Sequence, residues 1–211
     1  MSVISNNRIL KIYNSRKNLL EILEIELSFN VNDYSNFSIN EIDAMYSNSQ
    51  LDMLLQHTSE DRKIYVKYYL SARQIRPANV DEIVEDLFTE ENILTQKDTL
   101  VIIVDDEPND TILAKIKYLY DHDGIFIVLH NINRLQFNIL KHKLVPDAYI
   151  LNNEEVEKLQ TEYHLKSLSQ LPEISRFDPQ AMALCMRPGQ VVKFIRNSAT
   201  ALDCAYYRIC I

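Results

Sequence analysis

Residues 99–130 read TLVIIVDDEPNDTILAKIKYLYDHDGIFIVLH. The opening run TLVIIV (99–104) is unbroken and apolar, as a strand buried on both faces should be, and 125–130 forms a second such run. Between them the segment 111–120 repeats apolar residues at helical spacing and ends before a turn at Asp123-Gly124. Strand, helix and strand in this order predict an α/β layer with parallel pairing, because parallel strands need a crossover and a helix supplies it.

Upstream, 62–70 (RKIYVKYYL) alternates Ile64, Val66, Tyr68 and Leu70 with Lys63, Tyr65, Lys67 and Tyr69, the period of a half-buried strand. Val80, Ile83, Val84 and Leu87, after Pro77, share one helical face. Ser38 and Glu41 have capping-box spacing and open a helix, with more helix expected over 50–56. The segment 7–27 reads as a long amphipathic helix, with Ile9, Tyr13, Leu20, Leu23 and Leu27 facing a core and Arg8, Lys11, Arg16 and Lys17 facing water. A last short strand is expected near 137–140.

Beyond His142 the pattern changes. Asn152 and Glu155 cap a helix with Val156, Leu159 and Tyr163 as its apolar stripe. Asp178-Pro179 starts a short helix ending near Met186, and Pro188-Gly189 suits a type II turn leading into strands over 190–196 and 205–211, the last tied into a sheet. The formal charge of −8 divides unevenly: the whole acidic excess lies in 1–141, and 142–211 is balanced. Two domains are therefore expected, an α/β domain over 1–141 and a small α+β domain over 142–211.

Composition excludes several chemistries. Two glycines, Gly124 and Gly189, cannot build a dinucleotide turn or a phosphate loop. Cys185, Cys204 and Cys210 lack metal-ligand spacing and read as small buried hydrophobes of a reducing compartment. His57, His122, His130, His142 and His164 form no HExxH pair, so neither metal nor cofactor is expected. No apolar run approaches the roughly 20 residues of a membrane span, and the N-terminus lacks a secretory pattern, so an intracellular chain without membrane contact is expected.

Two enzyme-like or signalling patterns have weight. The stretch 101–110 resembles the first strand and acidic pair of response-regulator receiver domains, and 146–152 resembles the strand bearing their phosphoacceptor. Asn152 stands where the acceptor aspartate should be, however, and an amide takes no phosphoryl group. Asp61-Arg62-Lys63 supplies the D-x-K of a metal-dependent nuclease without an upstream acidic partner. A receiver-like signalling domain and a degenerate nuclease-like α/β domain are thus the alternatives. Arg62, Lys63, Lys67, Arg73 and Arg76, with Tyr65, Tyr68 and Tyr69 interleaved, form the one local basic stretch that could touch DNA phosphates.

From Lys143 the residues read KLVPDAYILNNEEVEKLQTEYHLKSLSQLPEISRFDPQAMALCMRPGQVVKFIRNSATALDCAYYRICI. The segment resembles the C-terminal assembly domain of the fifth common subunit of eukaryotic RNA polymerases and is similar to the archaeal counterpart of that protein. The resemblance rests on Leu144-Val145-Pro146, Leu171-Pro172-x-Ile174, Asp178-Pro179, Gly189-Gln190-Val191-Val192-Lys193, Ile195-Arg196-x-Ser198-x-Thr200-Ala201 and Tyr207-Arg208. Residues 1–141 are a looser match to the jaw module of the eukaryotic subunit. Cys185 and Leu202 replace family glycines, Arg187-Pro188 replaces a Lys-Arg pair, Asn197 a proline, Ala199 a glutamate and Asp203 an arginine.

The resemblance implies a non-catalytic subunit of a multisubunit DNA-dependent RNA polymerase. Residues 142–211 would dock on the largest subunit, beside other core subunits, with Lys193, Arg196, Ser198, Thr200, Tyr207 and Arg208 near the interface. Residues 1–141 would form part of the lower jaw, with weak local contact to downstream DNA and an acidic surface open to transcription factors. Few glycines and abundant asparagine and isoleucine suggest a large DNA virus, hence virion and host cytoplasm; a cellular protein would be nuclear.

Overall fold

The computed structural model describes residues 3–72, 74–198, 200 and 202–211. The chain divides into two compact units, Met1–Asn138 and Ile139–Ile211. In the first, helix α1 (Val3–Ile25) and helix α2 (Ile39–Ser47) precede strands β1 (Met53–Gln56) and β2 (Lys63–Tyr69). Helix α3 (Pro77–Val84) runs into a π-helical turn (Glu85–Glu90), followed by β3 (Thr99–Val104), helix α4 (Asp110–Asp123) and β4 (Phe126–Asn131). The sheet order is β1-β2-β3-β4, parallel from β2 to β4, with β1 antiparallel at the edge.

The residues explain these elements. Every residue of β3 and β4 is buried, whereas β2 alternates buried and half-buried positions as its sequence alternates. Helix α2 opens on the Ser38/Glu41 box, the Glu41 carboxylate accepting from the Ser38 N–H at 2.7 Å. Helix α4 opens on Asn109, whose Oδ1 accepts from the Ile112 N–H at 3.0 Å. Asp98, 3% exposed, accepts from the Lys63 N–H (2.6 Å), the Thr95 N–H (2.7 Å) and the Thr95 hydroxyl (2.8 Å), pinning the start of β2 to the turn before β3.

Several expectations are corrected. Residues 50–56 hold strand β1, not a helix: Leu51, Met53 and Leu55 alternate into the core, and pairing with β2 overrides the helix propensity of Met, Leu and Gln. No strand forms at 137–140; 3-10 turns at Arg134–Gln136 and Ile139–Lys141 flank an exposed Phe137. Arg16 does not face water. Helix α1 buries Ile12, Ser15, Leu19 and Ile22 beyond its expected stripe, and Arg16 is 2% exposed. Its Nη1 donates to the Leu51 carbonyl at 2.8 Å, and its guanidinium lies 5.7 Å and 5.6 Å from the ring centroids of Tyr34 and Phe37. Burial lowers its pKa.

The second unit carries β5 (Asp147–Ile150), helix α5 (Asn153–Glu162), β6 (Glu173–Ile174), helix α6 (Pro179–Ala183), β7 (Val191–Ser198) and β8 (Leu202–Cys210). Its sheet order is β5-β7-β8-β6, with β6 parallel to β8 and the other pairs antiparallel. The core joins Ile174, Ala181, Leu184, Met186, Val192, Phe194 and Cys210. Helix α6 ends at Ala183, short of Met186, in a Schellman motif: the Cys185 N–H donates to Met182 O and the Met186 N–H to Ala181 O. Cys185 holds the left-handed position at φ 48°. Gly189 (φ 88°) closes the expected type II turn, with the Gln190 N–H donating to Arg187 O.

The receiver geometry is absent. The 147–150 strand pairs antiparallel in the second sheet, and Asn152 caps α5 by accepting from the Glu155 N–H at 2.9 Å. Asp105 is bound by Arg8 at 2.9 Å. Of the cysteines only Cys210 is buried; Cys185 is half-buried and Cys204 exposed. Among the described residues no helix is long and apolar enough to cross a membrane.

Candidate docking hairpin

The β7–β8 hairpin gathers the residues expected at an interface. Its register places Lys193 opposite Tyr207 and Arg196 opposite Cys204, with Ser198 opposite Leu202 flanking the connection 199–201. Strand β5 covers β7 only from Val192 to Ile195, and β6 covers β8 only at Ile209 and Cys210. Beyond those pairings, among the described residues, the hairpin continues as a two-stranded ribbon with both edges open. Open edges of this kind are templates for pairing with another chain.

Strand parity sends the candidates to opposite faces. On one face Tyr149, Lys193 and Tyr207 form a row across β5, β7 and β8. The Lys193 ammonium lies 5.4 Å from the Tyr149 ring centroid, and Tyr163 of α5 meets Tyr207 edge-on at 5.8 Å. The hydrogen bond to Tyr149 raises the Lys193 pKa; burial raises that of Tyr207, opposed by the Lys193 charge. On the other face Tyr206 stacks on the core residue Phe194 at 5.0 Å, and Arg196 and Arg208 lie 4.4 Å and 5.6 Å from its centroid. Arg208 Nη1 also donates to Glu173 O at 3.0 Å. Thr200 is exposed at the tip. Of the residues expected at an interface, the two arginines, the lysine and Tyr207 lie on this ribbon, with Tyr149, Tyr163 and Tyr206 packed against them; the sequence did not single out these three tyrosines for that surface, although the outward parity of Tyr149 in 147–150 was available as a signal.

Cations placed against aromatic rings in this way present apolar area beside their charge. Among the described residues no group of three His, Cys, Asp or Glu side chains is placed to hold a metal.

The basic residues of the first unit do not gather in one place. Lys67 binds Asp52 at 2.9 Å, and Arg62 binds Glu60 at 3.5 Å while lying 5.7 Å from the Phe29 ring centroid. Lys63 starts β2 and is half-buried. Arg76 is exposed, seven residues past the far end of that strand. Arg73 lies outside the described residues.

Comparison with known proteins falls on the second unit. The family model described as RNA polymerase Rpb5, C-terminal domain, matches residues 137–210. DNA-directed RNA polymerase subunit Rpo5 of Thermococcus kodakarensis is 45% identical over 74 residues, 35% of this chain and 89% of the relative. The protein of the same name from Methanococcoides burtonii is 37% identical over 73 residues, 35% of this chain and 92% of the relative. DNA-directed RNA polymerases I, II, and III subunit RPABC1 of Caenorhabditis elegans is 45% identical over 75 residues, 36% of this chain but 35% of the relative. Since nearly the whole length of the archaeal proteins is matched by the unit that carries the open hairpin, the chain belongs to the Rpb5/Rpo5 family of RNA polymerase subunits.

Proposed function

We propose that the protein is a non-catalytic structural subunit of a multisubunit DNA-directed RNA polymerase, with residues 142–211 docking on the largest subunit. The observation that carries this reading is the ribbon of β7 and β8. Its open edges, its Tyr149–Lys193–Tyr207 row and its exposed Ile195 and Leu202 lie within the stretch that is similar to Rpo5. Residues 1–141 would then project as part of the lower jaw beside downstream DNA. Contact there would be weak and local, since Lys67 and Arg62 are already engaged by carboxylates, leaving Lys63 at the start of β2 and Arg76 seven residues past its end. The acidic surface offers a face to basic segments of transcription factors. A large DNA virus carrying its own polymerase would place the protein in the virion and host cytoplasm; a cell would place it in the nucleus.

The test is affinity purification of the tagged full chain from its native setting. Co-purification of a polymerase core is expected, weakened by Lys193→Glu or Tyr207→Asp if that face docks, and by Arg196→Glu if the opposite face does. Recovery of the tagged chain alone, free of transcription machinery, would overturn the proposal.

A further inference from the structure

The Ile209 N–H donates to Pro172 O and the Ile211 N–H to Ile174 O, so along this stretch the odd-numbered residues turn their backbone groups away from β7. Strand β6 meets that edge of β8 only at Ile209 and Cys210. Asp203, Ala205 and Tyr207 therefore present N–H and C=O groups outward. Among the described residues their one backbone contact on that side is the Cys204 thiol, 3.8 Å from Ala205 O. Asp203 and Ala205 are exposed. Natural edges are guarded by proline, lysine or a bulge. These three positions carry neither residue, and the pairing of β7 with β8 runs without a bulge from Val191 to Ser198.

Charge at this edge is sorted by face. Tyr206, Arg196 and Arg208 lie on one side of the ribbon, and Asp203, Ala205 and Tyr207 on the other. Arg208 donates from Nη1 to Glu173 O, which brings its guanidinium to the β6 end of the open edge. Arg196 is exposed, its guanidinium 4.4 Å from the centroid of the Tyr206 ring. Among the described residues neither arginine has a carboxylate partner. The acid of the exposed stretch, Asp203, projects from the opposite face and leaves that positive pair unbalanced.

We propose that the open edge of β8 takes an extended segment of a partner chain as an added strand, acidic side chains on its Tyr206 face and apolar ones on its Ala205 face. The assignment of that segment to the largest polymerase subunit rests on the docking reading above. A residue across from Tyr206 has its Cβ about 5 Å away, so a glutamate there reaches the guanidiniums that flank the ring. A residue across from Ala205 meets only a methyl group and has room for a branched side chain beside Tyr207. An acid on this second face would meet Asp203, and like charges across strands repel. A second copy of β8 is a poorer occupant: antiparallel pairing about Ala205 sets Cys204 across from Tyr206 and brings no acid to either arginine.

The experiment titrates the isotope-labelled full chain with the capped peptide acetyl-Thr-Glu-Val-Glu-Val-amide, with its Lys-for-Glu counterpart, and with the Glu peptide N-methylated at either set of alternate residues, following backbone amides by NMR. Saturable shifts at Asp203, Ala205 and Tyr207 are expected with the Glu peptide, which should bind about tenfold tighter than the Lys peptide. N-methylation of one alternate set should abolish binding and of the other leave it intact, since only one set faces β8. Arg196→Glu should turn the preference toward the Lys peptide, a result a misfolded variant would not give. Ala205→Pro removes the central outward donor without breaking the ladder to β7 and should abolish binding. No binding, equal binding of the two charge forms, indifference to N-methylation or an unchanged preference in Arg196→Glu would overturn the proposal. So would full co-purification of a polymerase core with the folded Ala205→Pro chain, which leaves the subunit reading standing. A wild-type chain that binds the Glu peptide but recovers no polymerase overturns the subunit reading and supports the edge.

Discussion

Leu202 opens β8 at φ 56° with 84% of its surface exposed, opposite Ser198 across the hairpin connection. Its Cβ meets the following carbonyl in that left-handed conformation, which costs about 1–2 kcal/mol that glycine does not incur. Leu202→Gly therefore removes the strain, while the freer unfolded chain returns about 0.5–1 kcal/mol. The exposed side chain forfeits only about 0.3 kcal/mol of burial. The balance is a gain of about 0.5 kcal/mol, or roughly 0.25 M in urea midpoint for a slope of about 2 kcal/mol/M. Leu202→Val should move the other way, because a β-branched side chain tolerates positive φ worst. The assay is urea unfolding of the second unit, read by tyrosine fluorescence or by NMR of the hairpin. The order Gly, Leu, Val in falling stability is expected; a glycine midpoint at or below that of the valine variant would refute the strain at Leu202.

Three further outcomes follow from other sites. Cys185→Gly, at the left-handed position of the α6 Schellman motif (φ 48°), should raise stability by about 0.5–1 kcal/mol in a thermal melt, and Cys185→Val should lower it. Tyr68 is buried with its pKa pushed up to about 12 by desolvation, so the folded state holds the phenolic proton more tightly than the unfolded chain does. The stability this contributes is complete below pH 10 and lost as pH rises from 10 to 12, on the order of 2–3 kcal/mol; urea midpoints against pH should show the fall, and Tyr68→Phe should flatten it. Asp98→Ala removes the acceptor shared by the half-buried Lys63 N–H and the Thr95 N–H and should cost about 1–2 kcal/mol in a denaturant titration.

Elements whose signal is local were legible. The unbroken runs of β3 and β4, the alternation of β2, the boxes at Ser38 and Asn152 and the Pro188-Gly189 turn each depend on neighbours within a few residues. Strand β1 was not legible, because LDMLLQ favours a helix until β2 is present to pair with it. Arg16 was misplaced for a similar reason: a cation is buried there only because Tyr34 and Phe37 close over it from a separate segment. At the hairpin, sequence named the residues but not their division between two faces. That division follows from register, which puts Tyr149 and Tyr207 on either side of Lys193 and sets Arg196 against Tyr206. The acidic end of β3 invited a receiver reading because an apolar strand closing on aspartates occurs in many folds; Asn152 already spoke against it in the sequence, and the placement of 147–150 in the second sheet separates the two.

The two sheets differ in how far the chain must search to make them. Ser198 and Leu202 meet across a connection that closes on the microsecond scale, so the ribbon can form by itself as soon as both strands exist. Ile64 must instead find Thr99, and Thr99 must find Phe126, each after a helix-bearing excursion, so loop closure slows the parallel sheet. During refolding, amide protons of Lys193 to Arg196 should become protected earlier than those of Val101 to Ile103, and for that interval the β3 strand, apolar on both sides, is the segment most prone to self-association.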